Sequence, residues 1–154
     1  MTSQPGGLTV HLEGVLPAPP SLVFRALTDP PELAKWWGPH GFTTPRLELD
    51  LRVGGGYRIA MQPPEGGLFY LQGEFREVDP PRRLAYTFRW EDPDPDDIET
   101  IVRLSLRDLG GSTELTLDQG AFATEPRRAL HEQGWTDGFE KLRGSMSSGR
   151  PVED

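Results

Sequence analysis

The chain contains no cysteine and three histidines, and no run of apolar residues in it is long enough to cross a bilayer. The absence of cysteine excludes a disulfide framework and a thiolate metal site, and it is typical of proteins from a reducing compartment. Three histidines that lie far apart in the sequence do not form a metal-binding pattern, so we predict neither a metal nor another cofactor. Residues 1–7 have neither the basic nor the apolar segment of a secretory signal. We therefore expect a cytoplasmic protein that stays out of membranes.

Basic residues are scarce relative to acidic ones. The chain has 16 lysines and arginines against 24 aspartates and glutamates, which gives a formal net charge of -8. The arginines are interspersed with acids and do not gather into a basic stripe, so the surface repels a phosphate backbone. We expect no nucleic-acid partner.

Glycine and proline are abundant, with 18 and 16 residues, but they separate segments of regular periodicity. A length of 154 residues fits one domain with a core of its own. We place this domain at residues 8–146 and predict flexible tails at 1–7 and 147–154.

Apolar and polar residues alternate along seven segments, which predicts seven strands. One strand begins near residue 8, and the other six follow from residue 44, joined by turns short enough for antiparallel pairing. The inward residues of the second strand are predicted to be Leu47, Leu49 and Leu51. Gly54-Gly55-Gly56 is interpreted as a hairpin turn, because glycine loops that bind phosphate open a helix and this one opens a strand. Charged residues occupy the alternate positions of four strands, so one face of the sheet is predicted to be dry.

Two short helices follow the first strand. The first is predicted at 21–27, and the second begins at the N-cap Asp29 and ends at Gly38. Trp36 and Trp37 stand at the exit of the second helix, and one indole is predicted to face the core while the other borders a cleft or a loop.

A long helix is predicted at 124–146, with Thr124 as its N-cap. Gly134 and Gly138 lie at i and i+4 in this helix, where they leave room for close approach of a neighbouring element. Its apolar stripe is predicted to consist of Leu130, Trp135, Phe139, Leu142 and Met146. A sheet with one dry face and a helix with one dry stripe must cover each other, which predicts an α+β fold.

Four separated motifs carry a resemblance to a known family. They are Thr28-Asp29-Pro30 with Trp36-Trp37-Gly38-Pro39, Gly54-Gly55 before a strand, Gly73-Glu74 leading to Val78-Asp79-Pro80-Pro81-Arg82-Arg83-Leu84, and His131-Glu132-Gln133-Gly134-Trp135 in the last helix. Over about residues 8–146 they resemble the START and Bet v 1-like (SRPBCC) superfamily, and within it the branch named after the activator of the heat-shock protein 90 ATPase. The resemblance implies a helix-grip fold, in which a curved antiparallel sheet wraps around a long C-terminal helix. It also implies an apolar cavity between sheet and helix, with Trp36 and Trp37 in its walls.

Our leading hypothesis is a binding protein for a small apolar molecule held in that cavity. It rests on aromatic residues that recur at inward positions of adjacent strands, with Tyr57, Tyr86, Gln119 and His131 as the polar groups that orient the ligand. The predicted lining is Trp36, Trp37, Phe42, Tyr57, Ile59, Met61, Phe69, Leu71, Tyr86, Phe88, Trp90, Gln119, His131, Trp135 and Phe139. The plainer interpretation, that these side chains only fill a core, stays open.

Two further functions stay open as well. A cyclase- or aromatase-like enzyme would use His131, the candidate catalytic residue, or a tyrosine as acid or base on a ligand in the same cavity. The plainer interpretation of His131 is a boundary histidine packed on Trp135. A chaperone-interacting stress-response module is implied by the resemblance alone.

Two surface features complete the predictions. The acidic Asp92–Asp97 loop lacks the ligand spacing and the central glycine of a calcium-binding EF-hand loop, so it is interpreted as a solvated turn. An exposed edge strand and the Trp36–Trp37 corner are the surfaces through which we hypothesise a homodimer.

Overall fold

A seven-stranded antiparallel sheet and a long C-terminal helix form the body of the protein. The structure is a computed structural model that describes residues 8–148. The predicted tail at 1–7 and residues 149–154 of the tail predicted at 147–154 lie outside the described residues. Residues 147 and 148 belong to the last helix. The elements in chain order are β1 (Val10–Leu16), α1 (Pro20–Thr28), α2 (Pro30–Leu33), β2 (Thr43–Leu49), β3 (Gly56–Gln62), β4 (Phe69–Asp79), β5 (Arg83–Trp90), β6 (Thr100–Asp108), β7 (Thr113–Gly120) and α3 (Glu125–Ser148).

The strands lie in the order β1-β7-β6-β5-β4-β3-β2, and every neighbouring pair is antiparallel. Strands β2 to β7 therefore form a meander, because each pairs with the strand that follows it in the chain. The first strand joins the far edge beside the last one, where Leu12 is opposite Leu117. This arrangement confirms the predicted helix-grip architecture.

Alternation along the strands produces the predicted dry face. In β6, Val102, Leu104 and Leu106 are buried against the core. Arg107 follows Leu106 and lies on the opposite, exposed face, where it pairs with Glu114 of β7 at 2.9 Å. The prediction is wrong at one position of the second strand, since Leu51 lies beyond the end of β2 and is exposed.

The second helix is shorter than predicted. It ends at Leu33, and the chain continues in a tight turn in which the amide of Trp36 donates to the carbonyl of Leu33 at 3.3 Å. This i to i+3 bond belongs to a 3₁₀-type turn, which accounts for the early end of the α-helix. Asp29 is the N-cap as predicted, although its side chain makes no capping bond.

The long helix α3 lays one stripe of side chains on the sheet. Thr124 caps its start by accepting a hydrogen bond from the amide of Arg127 at 3.3 Å. Phe139 and Leu142 are buried as predicted, but Leu130 is 56% exposed, because the buried stripe runs through His131 instead. Within residues 8–148, no helix has the length and apolar character needed to span a membrane.

Candidate ligand cavity

A cavity of about 410 Å³ lies between α3, the loop that follows α2, and strands β3 to β5. The chain contains four tryptophans, and all four lie in the wall of this cavity. Leu130 and Asp94 belong to the lining and are exposed, so the cavity opens to solvent beside these two residues. The residues that line it are Trp36, Trp37, Gly38, Pro39, Phe42, Met61, Phe69, Tyr70, Phe88, Trp90, Asp92, Asp94, Asp97, Arg127, Leu130, His131, Gly134, Trp135 and Gly138.

The indoles of Trp36 and Trp37 are both buried and both form part of the cavity wall. Only 2% and 6% of their surface is exposed. Trp36 is held by a hydrogen bond from its Nε1 to the carbonyl of Ala26 at 2.9 Å, and Gly138 leaves room for its ring against α3. The prediction that one indole faces the core and the other a cleft is therefore wrong. The burial of both rings also removes the Trp36–Trp37 corner as a surface for the hypothesised homodimer.

Trp135 of α3 is hydrogen-bonded to β7, the strand next to the β1 edge of the sheet. Its ring centroid lies 5.3 Å from that of Trp37, and its Nε1 donates to Oε1 of Gln119 at 2.6 Å. The amide of Gln119 donates in turn to Oγ1 of Thr100 at 2.8 Å. Both ends of the Gln119 amide are therefore engaged by the protein, and this side chain does not reach the cavity wall.

Tyr57, Ile59 and Tyr86 surround a separate space of about 20 Å³, which is room for about one water molecule. The hydroxyl of Tyr57 donates to the carbonyl of Thr87 at 2.6 Å. Burial raises the pKa of both phenols above the ordinary value, so they stay neutral. These three residues pack the core beside the main cavity.

Nine of the predicted lining residues meet in the main cavity, and six do not. Those in its wall are Trp36, Trp37, Phe42, Met61, Phe69, Phe88, Trp90, His131 and Trp135. Leu71, Gln119 and Phe139 are buried in the core and line neither space.

His131 is enclosed by aromatic rings. Its centroid lies 4.7 Å from that of Phe122, 5.2 Å from that of Phe88 and 5.9 Å from that of Trp90. Among residues 8–148 its ring has no hydrogen-bond partner, and 9% of its surface is exposed. The pKa of His131 is lowered to about 4, chiefly by burial and then by the positive charge of Arg127, whereas Asp97 acts in the opposite direction. The imidazole is therefore neutral near neutral pH.

The acidic loop belongs to the cavity, which sequence reasoning missed. Asp92, Asp94 and Asp97 all line it. Arg127 of α3 reaches Asp97 at 2.5 Å and Asp94 at 3.5 Å, and the side chain of Asp97 is 8% exposed. The interpretation as a solvated turn is therefore wrong for Asp97. The available signal was Arg127, placed one turn into a helix whose dry stripe faces the sheet.

Two buried N–H groups near the cavity lack an acceptor within the described part of the chain. They are Nε1 of Trp90 and Nε of Arg127. Both atoms are enclosed by protein, so neither is in contact with the cavity space itself.

The profile of the family described as "Activator of Hsp90 ATPase homolog 1-like protein" matches residues 17–146. The chain belongs to this family. Similar solved structures agree: the protein CV1439 of Chromobacterium violaceum is 30% identical, with a TM-score of 0.78 and coverage of 90% of this chain and 96% of that one. The AHSA1 protein of Silicibacter pomeroyi is 27% identical, with a TM-score of 0.82 and coverage of 92% and 99%. The predicted resemblance is thereby confirmed.

One of the similar solved structures is a longer protein. DynU16, from the dynemicin biosynthetic locus, is 25% identical to this chain, with a TM-score of 0.74. The comparison covers 94% of this chain and 49% of DynU16, so the chain spans about half of that protein's length. No curated protein gives a significant match to this chain.

This member of the activator family also brings three ligand-type side chains together outside the cavity. His40, Asp137 and Glu140 place one donor atom each within 4.8 Å of one another. Nε2 of His40 is 3.0 Å from Glu140, and the amide of His40 donates to Asp137 at 3.2 Å. These contacts tie the loop after α2 to α3. Sequence spacing did not indicate this cluster, because His40 is about a hundred residues away from Asp137 and Glu140.

Proposed function

We propose that this protein binds a small, largely apolar molecule in the cavity between the sheet and α3. The observation that carries the proposal is a space of about 410 Å³ walled by all four tryptophans of the chain. Pockets for small ligands have this range of volume and this kind of lining. An apolar space of this size that stays open to solvent is better explained by a ligand than by loose packing.

Family membership supports the same proposal. The chain belongs to the family of the activator of the Hsp90 ATPase and is similar to DynU16, a protein of the dynemicin biosynthetic locus, a setting in which small molecules are handled. Because one fold hosts many functions, the argument for this chain rests on the cavity and its side chains.

Binding is tested by thermal unfolding and intrinsic fluorescence with a panel of sterols, fatty acids, flavonoids and aromatic polyketides. A ligand at 100 times its Kd adds about 2.7 kcal/mol, which raises the midpoint by roughly 5–10 °C for a domain of this size. The same ligand is expected to change the emission, since every tryptophan lies in the wall.

A matched pair of variants ties the signal to the cavity. Gly134 lines the cavity, and a Cβ at this position meets only Cγ of Pro39, at 3.7 Å, so Gly134→Leu is expected to fill the space and abolish the shift. Ala129→Leu adds a leucine to the same helix at an exposed position and should leave binding unchanged. Binding that survives Gly134→Leu would place the ligand elsewhere.

A cyclase-like activity is a second candidate, favoured by the neutral imidazole of His131 in the cavity wall. A positioned base contributes about 10²-fold or more to a proton transfer when its pKa lies near the operating pH, and the low pKa of His131 puts its contribution at the lower end of this range. His131→Ala should therefore lower the turnover of a ketone-bearing substrate by about 10²-fold while ligand affinity persists. Equal rates in the two proteins would exclude this role.

A further inference from the structure

We propose that the cavity selects small apolar molecules that carry a protonated amine, an inference that rests on the ligand-binding function proposed above. The side chains that support this proposal are Asp92, Asp94 and Asp97 at the solvent-open end of the cavity, which we call its mouth, and the aromatic rings behind them.

Strand alternation continues past the end of β5 and directs Asp92 to the cavity. Trp90 lines the cavity, whereas Glu91 lies on the opposite face and binds Arg58 through two hydrogen bonds of 2.7 and 2.9 Å. Asp92, the next residue, returns to the cavity side. Within residues 8–148 its carboxylate has no hydrogen-bond or ion-pair partner. Asp92 is thus a negative charge at the mouth that the protein leaves uncompensated.

The positive charge of Arg127 does not cancel the negative charge at the mouth. Its guanidinium lies within 4 Å of three carboxylates, those of Asp94, Asp96 and Asp97. The lining therefore carries three carboxylates and one guanidinium, an excess of negative charge. His131 adds no positive charge near neutral pH, because it is neutral there.

Aromatic faces next to this mouth suit a cation. The ring of Trp90 packs against Phe69 at 5.3 Å and Phe88 at 5.2 Å, and all three line the cavity. A cation near the face of such a ring is attracted by the negative charge of the ring face. An acidic mouth adds a long-range attraction that salt weakens. A carboxylate ligand would meet like charge, and the spare N–H groups of Trp90 and Arg127 are enclosed and cannot bind it.

The test compares 1-adamantanemethylamine, 1-adamantanemethanol and 1-adamantanecarboxylate by isothermal titration calorimetry at neutral pH. The three probes share one alicyclic body and differ in charge, and none absorbs in the tryptophan range. We expect the amine to bind about tenfold more tightly than the alcohol, the carboxylate to bind most weakly, and the preference to shrink at high salt.

Variants connect the preference to the mouth. Asp92→Asn should weaken amine binding several-fold and leave alcohol binding unchanged, and Asp94→Asn provides a second variant at the same mouth. Glu77→Gln is the control, because Glu77 is exposed, is not part of the lining and has a carboxylate with no hydrogen-bond or ion-pair partner among the described residues. Equal binding of amine and alcohol, or amine binding unaffected by both aspartate variants, overturns the charge inference while ligand binding stands. If none of these probes and no compound of the wider panel binds, the proposed function itself is contradicted.

Discussion

Trp135 of α3 donates its indole hydrogen to the side-chain oxygen of Gln119 in β7 at 2.6 Å, and both groups are buried. The bond connects the long helix to the strand next to the sheet edge. Nε1 of Trp90, in the wall of the same cavity, is equally enclosed but has no acceptor among the described residues. The chain thus offers two tryptophans that differ in one hydrogen bond.

Trp135→Phe should be more destabilising than Trp90→Phe. Both changes remove the same atoms, but the first leaves the buried oxygen of Gln119 without its donor, which costs about 1–3 kcal/mol. The second removes an N–H that has no acceptor to lose. Urea unfolding of the two variants measures the difference, and equal losses would show that the bond to Gln119 contributes nothing net.

Stability should fall below neutral pH because of His131. Its pKa is about 4 in the folded protein and about 6.5 in the unfolded chain, so between these values only the unfolded state takes up the proton. The free energy of unfolding should therefore decrease as pH falls through this window, by about 3 kcal/mol in total.

His131→Gln provides the control for this pH dependence. The variant cannot take up the proton, so the fall in urea midpoint between neutral pH and pH 4 should be smaller than in the parent protein. His11, whose pKa is raised by hydrogen bonds to Asp118 and then Glu13, is present in both proteins and cancels in the comparison. Parallel pH profiles would mean that His131 is protonated in the folded state.

The two helical glycines of the cavity wall should respond differently to alanine. Gly134→Ala is expected to stabilise the protein by roughly 0.5–1 kcal/mol, since a Cβ meets Pro39 at an ordinary 3.7 Å and helix propensity improves. In Gly138→Ala the Cβ would lie 3.3 Å from the ring of Trp36. That ring is fixed by its bond to Ala26 and has little room to move, so the gain should be lost or reversed. The thermal midpoints of the two variants test this difference. Equal gains in midpoint would show that the Trp36 ring moves to make room for the added methyl group.

Gly73 should tolerate no side chain. It is opposite Tyr57 across the β3–β4 pair, and a Cβ on it would lie 2.6 Å from the Tyr57 ring and closer still to the carbonyl of Thr87. Gly73→Ala is expected to cost about 3 kcal/mol or more, because buried backbone must shift. Gly67→Ala, where a Cβ meets nothing within 4 Å, should change stability by less than about 0.5 kcal/mol in the same urea titration. Comparable losses would refute this account of Gly73.

The architecture was predictable because its signals are local. Alternation in segments such as β6 and the capping position Thr124 depends on residues that are neighbours in sequence. The same holds for the inward aromatic positions, which is why Phe88 and Trp90 were correctly expected in the cavity wall. The error at the second helix is also local, since proline and the N-cap mark where it begins but not where a 3₁₀-type turn replaces it.

Periodicity and capping were enough to give the elements, their order, the dry face of the sheet and, apart from Leu130, the dry stripe of α3. How the inward side chains divide between packing and lining depends on the folded arrangement. It set Gln119 against Trp135 instead of a ligand, placed Arg127 among the aspartates of the acidic loop, and enclosed His131 in aromatic rings. The physical reason is that periodicity assigns a side chain to a face, whereas its partners depend on sheet curvature and on the approach of elements far apart in the chain.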